Sequence, residues 1–218
     1  MISRIRVVPE ETPRRPGRPR KGTAPASTEE ILAAALRAFA AQGFHGVSIR
    51  DLNRVLGVSH NVLHQRFGSK EGVWYAAVDW GFGAIVALVA DADVPGTDPG
   101  ARLRTMIRTF VGFSARNPDL GAIMSNEARQ PSERLDHLLE RFVRPMLDAF
   151  TPAFTDLVNA GKLDHVPLPT LYYLITSGGA APYTNEGMTR RLFGDDPFTQ
   201  KEIDRHADAV SRLLAGDL

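Results

Sequence analysis

One short segment of the chain concentrates the side chains best suited to recognising another molecule. Within eleven residues it carries two imidazoles, two amides and two cations: His60, His64, Asn61, Gln65, Arg66 and Lys70. An asparagine amide can form paired hydrogen bonds with an adenine edge, and arginine and lysine can neutralise backbone phosphates. The segment is therefore a candidate for binding double-stranded DNA. The alternative is a polar helix face that is merely solvated.

Metal binding and catalysis are the other kinds of chemistry to consider. His60 and His64 are four residues apart, a spacing at which two histidines on one helical face can bind zinc. No third ligand is evident nearby and the chain has no cysteine, so we expect no metal site. The chain also lacks a glycine-rich phosphate loop and the HExxH and GxSxG motifs. We therefore expect no cofactor and no enzymatic activity.

A short amphipathic helix precedes this segment. Ile49, Leu52, Val55 and Leu56 recur at helical spacing and are expected to share its buried face. Gly57 then follows, a residue that commonly ends a helix in the left-handed conformation. The pattern predicts a first helix that braces the one after it.

The second helix carries the candidate recognition residues. Ser59 is in position to cap its N-terminus, and Leu63 and Phe67, four residues apart, are expected to point into the core. The polar residues between them are then left facing outward. Two helices joined by a tight turn, with the second exposed, predict a helix-turn-helix whose second helix enters a major groove.

The first 27 residues are expected to form a basic, flexible arm. Residues 1–22 carry seven cationic residues and two glutamates, a net charge of +5, against +1 for the whole chain. The centre of the arm, residues 14–21, reads RRPGRPRK and resembles an AT-hook, in which an extended Arg-Pro-Arg lies in a narrow minor groove. Arg18, Arg20 and Lys21 are therefore candidate DNA contacts, and a solvated basic linker is the alternative.

Helical periodicity continues to the end of the chain with no alternating strand pattern. We expect an all-α fold of about nine helices. A three-helix DNA-binding domain is expected over residues 28–69, followed by a larger helical bundle over residues 70–218. In that bundle Ser132 is expected to open a long helix that Pro145 and Pro152 kink or break.

The sequence gives no sign of a membrane or secretory segment. No apolar run reaches the roughly 18 residues that a membrane span requires. The N-terminus, MISRIRVVPEETPRR, also lacks the apolar region of a secretory signal. We expect a cytoplasmic protein without a membrane partner.

The pattern around the helix-turn-helix falls into three blocks. They are Ser48-Ile49-Arg50-Asp51-Leu52-Asn53, Leu56-Gly57-Val58-Ser59, and Leu63-His64 with Phe67 and Ser69-Lys70-Glu71. Over about residues 28–75 their spacing resembles the N-terminal domain of TetR-family transcriptional regulators. Residues 117–147 resemble the C-terminal region of some members more loosely. Asn61, His64 and Arg66 depart from the family pattern, which alters the face that reads DNA.

The resemblance implies roles for individual residues of the DNA-binding domain. It implies base contacts for His60, Asn61, Val62 and His64. It implies phosphate contacts for Ser48, Ser59, Arg66 and Lys70.

The resemblance also implies a homodimer that binds a palindromic operator and responds to a ligand. The dimer interface would be the last two long helices, about Thr170–Met188 and Thr199–Ala215. A small apolar effector in the larger domain would alter the separation of the reading helices and release a repressor from DNA. The apolar candidates for an effector pocket, each of which is otherwise plain core, are Trp80, Met106, Phe110, Phe113, Met124 and Tyr172. Glu127 is a candidate polar contact, and the alternative is that it caps a helix or forms a pair on the surface. The alternative function is a ligand-independent architectural DNA-binding protein.

Overall fold

The computed structural model describes residues 27–58, 61–94, 96–163 and 166–215, and these residues form α-helices without any strand. The helices are α1 (Thr28–Gly46), α2 (Ile49–Leu56), α3 (Val62–Phe67), α4 (Lys70–Asp91), α5 (Pro99–Arg116), α6 (Pro118–Glu127), α7 (Glu133–Leu138), α8 (Arg144–Asn159), α9 (Leu168–Thr184), α10 (Glu186–Phe193) and α11 (Gln200–Ala215). A π-helical segment (Leu139–Val143) joins α7 to α8, and a 3₁₀ turn (Asp196–Phe198) precedes α11. The all-α fold, with an N-terminal helix-turn-helix and a larger C-terminal bundle, is confirmed.

The first helix begins where the sequence indicated, with a cap one residue earlier. The Ser27 hydroxyl accepts a hydrogen bond from the Glu30 N–H (3.1 Å), and the Glu30 carboxylate accepts one from the Ser27 N–H (2.7 Å). This reciprocal pair satisfies two of the N–H groups that a helix start leaves without partners. Gly43, with φ of +68°, interrupts α1, and a further turn continues to Gly46.

Helix α2 ends at Gly57, whose φ of +62° is the expected left-handed conformation. Its buried face differs from the prediction in one position. Leu52 is buried, but Val55 is 70% exposed, and Asn53 is buried instead. Successive residues lie about 100° apart around a helix, so Val55 turns away from the core when Leu52 and Leu56 face it.

Helix α4 is the apolar centre of the N-terminal half. Ser69 caps it by accepting a hydrogen bond from the Gly72 N–H (3.0 Å). By length and composition alone α4 could cross a membrane, with a mean hydropathy of 1.6, so the expectation that no apolar run reaches that length is wrong. Val73, Trp74 and Val89 nevertheless lie fully buried in the shared core, as in the central helix of a globular protein.

The long helix predicted after Ser132 is continuous rather than broken. Ser132 caps it by accepting a hydrogen bond from the Leu135 N–H (3.1 Å), and the chain runs through α7, the π-helical segment and α8 to Asn159. Proline cannot donate the backbone hydrogen bond that an α-helix requires, and the wider π-helical turn directly before Pro145 accommodates that loss. Pro152 also lies inside α8. Both prolines are thus accommodated within a helix.

The next helix is shorter than predicted, because it ends at Thr184, two residues after Pro182. A separate helix, α10, then begins at Glu186. If α7, the π-helical segment and α8 are counted as one helix, the described residues contain ten α-helices against about nine expected. The extra one is α10.

Close packing of α4 against α1 and α6 joins the two halves of the molecule. A Cβ atom placed on Gly81 would lie 2.7 Å from Leu120 Cδ2 on α6 and 2.9 Å from Leu36 Cδ1 on α1. One at Gly83, two residues further along, would meet nothing within 4 Å. The first glycine is therefore required by packing and the second is not.

We expect Gly81→Val to destabilise the protein by about 1–3 kcal/mol, the usual effect of overpacking a core. Gly83→Val is the matched control and should change stability little, since valine forms helix at least as well as glycine. Urea unfolding followed by circular dichroism measures both. Equal effects of the two substitutions would show that the helix junction is not tightly packed.

Candidate DNA-binding surface and ligand cavity

The six-residue helix α3 presents the candidate reading face. Leu63 is fully buried, and Phe67 packs partly buried against the same core. Asn61, His64 and Arg66 are exposed on the other side. These elements leave an outward-facing polar surface held by two inward-facing apolar residues.

The start of α3 differs from the sequence prediction. Ser59 and His60 lie outside the described residues, and the helix begins at Val62, with Asn61 in the N-cap position. The Asn61 side chain forms no capping hydrogen bond there. Val62, expected to face outward, is instead half-buried against the core. Of the predicted base contacts described in the structure, Asn61 and His64 are the exposed ones.

Ser48 caps the N-terminus of α2. Its hydroxyl accepts a hydrogen bond from the Asp51 N–H (3.1 Å) and donates one to the Asp51 carboxylate (2.6 Å). The side-chain bond from Ser48, with the nearby charges of Arg54 and Arg50, lowers the pKa of Asp51 below its usual value. The hydroxyl hydrogen of Ser48 is thus used inside the protein, so its backbone N–H is the group left to meet a phosphate.

Two cations lie over the ring of Phe44. The distance from Lys70 Nζ to the ring centroid is 4.2 Å, and that from Arg134 Cζ is 3.9 Å. A cation over an aromatic face is attracted by the negative charge of its π system. The contact gives Lys70 an internal reason to occupy the first turn of α4, where the helix dipole disfavours a cation.

Arg134 also forms an ion pair that links α6 to α7. Arg134 Nε donates to Glu127 Oε2 (3.0 Å), and Glu127 is only 7% exposed. One residue earlier on α6, Asn126 Nδ2 donates to the carbonyl oxygen of Ala40 on α1 (3.2 Å). The end of α6 is therefore tied both to α1 and, through Arg134, to the aromatic ring of Phe44.

A cavity of about 560 Å³ in the C-terminal bundle lies among α4, α5, α6, α7, the π-helical segment, α8 and α9. Its lining is mainly apolar, with hydroxyl and amide groups on α6 and α9. The residues that line it are Phe82, Phe110, Leu120, Gly121, Met124, Ser125, Ala128, Leu135, Leu139, Phe142, Val143, Met146, Leu147, Tyr172, Tyr173, Thr176, Ser177, Ala181, Thr184 and Asn185. Burial raises the pKa of the Tyr172 phenol above its usual value, which keeps this group protonated.

Three of the predicted pocket residues, Phe110, Met124 and Tyr172, line this cavity. The other four do not. Trp80 is 45% exposed on the far side of α4, Met106 is fully buried core, and Phe113 packs against the core. Glu127 is held by Arg134, as described above, rather than facing the cavity.

The contribution of the π-helical segment was not predicted from the sequence. Leu139, Phe142 and Val143 all line the cavity. A π-helical turn widens a helix and is frequent at functional sites. The only local signal for it was Pro145, which was expected to kink or break the helix.

A second, more open cavity of about 850 Å³ lies between α9, α10 and α11. Its lining includes charged groups such as Glu202, Arg205 and Asp208. Gly178 on α9 also lines it, and a Cβ atom placed on this glycine would meet nothing within 4 Å. Nearby on α10 the large apolar residues Leu192 and Phe193 are about two-thirds exposed.

Two further predictions concern the minor-groove contacts and metal binding. Arg18, Arg20 and Lys21, the predicted minor-groove contacts, lie outside the described residues. Within the part of the chain that the structure describes, no group of three or more His, Asp or Glu side chains could hold a metal ion.

Comparison with known proteins identifies the family. The sequence-family model for bacterial regulatory proteins of the tetR family matches residues 31–77. The family model for the tetracyclin repressor-like C-terminal domain matches residues 99–213. No curated protein matches the sequence.

Solved structures share the fold at low sequence identity. A Clostridium perfringens putative fatty acid metabolism regulator has a TM-score of 0.70 and 14% identity, covering 86% of this chain and 98% of its own. AibR in complex with isovaleryl coenzyme A and operator DNA has a TM-score of 0.70 and 18% identity, covering 87% and 98%. The transcriptional regulator FadR from Bacillus subtilis in complex with stearoyl-CoA has a TM-score of 0.66 and 15% identity, covering 88% and 100%.

The two family models together cover both halves of the chain, and the second alone spans more than half of it. The chain belongs to the TetR family and is a DNA-binding transcriptional regulator.

Proposed function

We propose that this regulator is a repressor that leaves its operator when a small, mainly apolar ligand occupies the 560 Å³ cavity. The observation that carries the proposal is that α6 lines this cavity and is also bonded to α1 of the DNA-binding domain. DNA binding is assigned to residues 28–69 together with the arm 1–27, and ligand binding and dimerisation to residues 70–218. The protein acts in the cytoplasm and has no catalytic role.

The cavity supports an apolar ligand by its size and lining. Ligand sites are commonly about 300–1,000 Å³, mostly apolar, with a few polar groups that fix orientation. Among proteins of similar fold, AibR is described with isovaleryl coenzyme A and FadR with stearoyl-CoA. An acyl chain is therefore the ligand part that we propose for the apolar side of this cavity.

For DNA recognition, we assign the base contacts to the exposed side chains of α3. Asn61 and His64 read base edges, together with His60, while Val62 mainly supports the helix from its half-buried position. Arg66 and Lys70, with Ser59 and the N–H of Ser48, contact phosphates. The arm adds minor-groove contacts from Arg18, Arg20 and Lys21.

The route from cavity to DNA runs along α6. Met124 and Ser125 line the cavity, Asn126 bonds to α1, and Glu127 holds Arg134 over Phe44. A ligand that displaces α6 therefore moves both contacts with the DNA-binding domain. Because packed helices shift between discrete arrangements, a small displacement can change the separation of two reading helices in a dimer.

The dimer interface that we propose is formed by α9 and α11, with α10 at its edge. Exposed apolar side chains support it, since Leu174 on α9 is 49% exposed and Phe193 on α10 is 67% exposed in a single subunit. Gly178 leaves open space on α9, which lets a partner helix approach closely. A two-fold dimer of this kind presents two α3 helices to a palindromic operator.

Lys70→Gln should weaken binding to all DNA sequences by a similar factor and reduce the slope of log affinity against log salt by about one, because one phosphate contact is lost. Fluorescence anisotropy over a salt series measures this with a duplex selected by the protein from a random pool. Lys162→Gln, the same charge change at a lysine that pairs with Asp98 far from α3, is the control. An unchanged slope for Lys70→Gln would limit Lys70 to its contact with Phe44.

Gly178→Arg should convert the dimer into monomers, because it places a large cation on the proposed interface, at an exposed position where an added Cβ atom meets nothing within 4 Å. Operator affinity should then fall by about a hundredfold or more, as two half-sites are no longer held together. Sedimentation velocity and anisotropy measure the two effects. Gly83→Arg, at an exposed α4 glycine with equally open surroundings, should alter neither. A dimeric Gly178→Arg would place the interface elsewhere.

Met124→Trp should fill the cavity and reduce binding of N-phenyl-1-naphthylamine, a neutral apolar fluorophore, by about tenfold or more while operator binding persists. Fluorescence titration and anisotropy measure these two properties. Met188→Trp makes the same change in the second, more open cavity and should leave fluorophore binding intact. If the fluorophore binds neither the unaltered protein nor the Met188 variant, the ligand-independent architectural function is supported instead.

A further inference from the structure

We infer, on the basis of the proposed function, that the cavity binds an uncharged amphiphile whose polar end donates a hydrogen bond. An amide or alcohol with a medium-length alkyl chain meets this description, whereas a carboxylate or an acyl-CoA does not. The inference comes from the charge of the lining, the direction of its hydrogen bonds and the position of an adjoining apolar channel.

The lining carries no formal charge. None of its twenty residues is Asp, Glu, Lys, Arg or His. The charged residues of α6 are both acidic: Asp119, which directly precedes Leu120, and Glu127, which pairs with Arg134. A carboxylate that entered the cavity would lose its hydration without meeting a cation, and burial of an unpaired charge is strongly unfavourable.

Two hydroxyl groups in the lining present acceptors to the cavity. Ser125 Oγ donates its hydrogen to the carbonyl oxygen of Gly121 (2.9 Å), and Thr176 Oγ1 donates to that of Tyr172 (2.8 Å). Each hydroxyl has one hydrogen, so these oxygens retain only lone pairs for a ligand. Asn185 similarly uses Nδ2 on the carbonyl oxygen of Ala181 (3.0 Å), which leaves its Oδ1 as an acceptor. A ligand N–H or O–H complements these three oxygens, and the protonated Tyr172 phenol in the same lining can donate to a carbonyl oxygen of that ligand.

The apolar chain of the ligand would extend into a separate channel that adjoins the cavity. A narrow apolar channel between α8 and α9, with a volume of only about 20 Å³, shares Met146, Leu147, Tyr172 and Thr176 with the cavity. Beyond them it is lined by Phe150, Leu168, Leu171 and Ile175. Methionine side chains adapt readily to ligand shape, so Met146 can widen this channel. Thr176 therefore stands where a polar end and an apolar chain would meet.

A ten-carbon ligand series tests the inference with the unaltered full-length protein. The compounds are decanamide, 1-decanol, methyl decanoate, decanoate and decanoyl-CoA, each titrated by calorimetry and by loss of operator binding. We expect decanamide and 1-decanol to bind at least about tenfold more tightly than decanoate or decanoyl-CoA. Methyl decanoate, neutral but without a donor, should be weaker than the amide by about three- to tenfold, the factor for one hydrogen bond.

Two further measurements separate charge from hydrogen bonding. Lowering the pH from 7 to 6 should strengthen decanoate binding by up to about tenfold, since the neutral acid becomes more abundant, and leave decanamide unaffected. Thr176→Val should weaken decanamide by about three- to tenfold with little effect on methyl decanoate. Thr151→Val is the matched control, because Thr151 makes the same bond to a preceding carbonyl oxygen, that of Leu147 (2.7 Å), outside the lining.

The outcomes distinguish the inference from the proposed function. If decanoate or decanoyl-CoA binds as tightly as decanamide at pH 7, the neutral-donor inference is wrong and ligand-responsive repression stands. If the amide and ester bind equally and Thr176→Val changes neither, the donor half is wrong. If none of the five compounds binds or releases DNA, the proposed apolar-ligand function itself fails.

Discussion

The buried ion pair between Glu127 and Arg134 is the interaction on which the connection between the two halves depends. Glu127 is the last residue of α6, and its carboxylate would be costly to bury without the guanidinium beside it. Arg134 in turn lies over Phe44, close after the glycine that interrupts α1. Removing either charge would leave the other buried and unpaired. The pair therefore fixes where the ligand-binding helices stand relative to the helix-turn-helix.

This arrangement matters because α3 has little stability of its own. A helix of six residues is far below the length at which isolated helices form in water. It is held by Leu63 and Phe67 packing on the core, and by the turns at Gly57 and Gly68 on either side. The position of the exposed face of α3 therefore depends on the packing of the core beneath it. Any shift of α1 or α4 moves that face as a unit.

Much of the local structure could be predicted from the sequence, because caps and turns depend on neighbouring residues. The left-handed Gly57, the caps at Ser69 and Ser132 and the inward Leu63 all follow from such short-range rules. The features missed depend on packing between distant segments. Val55 is one, since its exposure follows from how α2 rotates against the core. The set of residues that line the cavity is another, because an apolar helix face has the same sequence pattern whether it packs against another helix or borders a cavity.

Release of the operator on ligand binding places an energetic condition on the cavity. A ligand shifts the protein away from its operator-binding arrangement only by the difference between its affinities for the two arrangements, and by linkage operator DNA weakens the ligand by the same factor. The lining of α6 is where such a difference can arise, because Met124 and Ser125 face the ligand while Asn126 bonds to Ala40. A ligand held only by α8 and α9 would bind without changing the contact with α1. In the proposed complex, a polar end beside Ser125 would therefore be the part of the ligand that couples binding to release, and the apolar chain would mainly supply affinity.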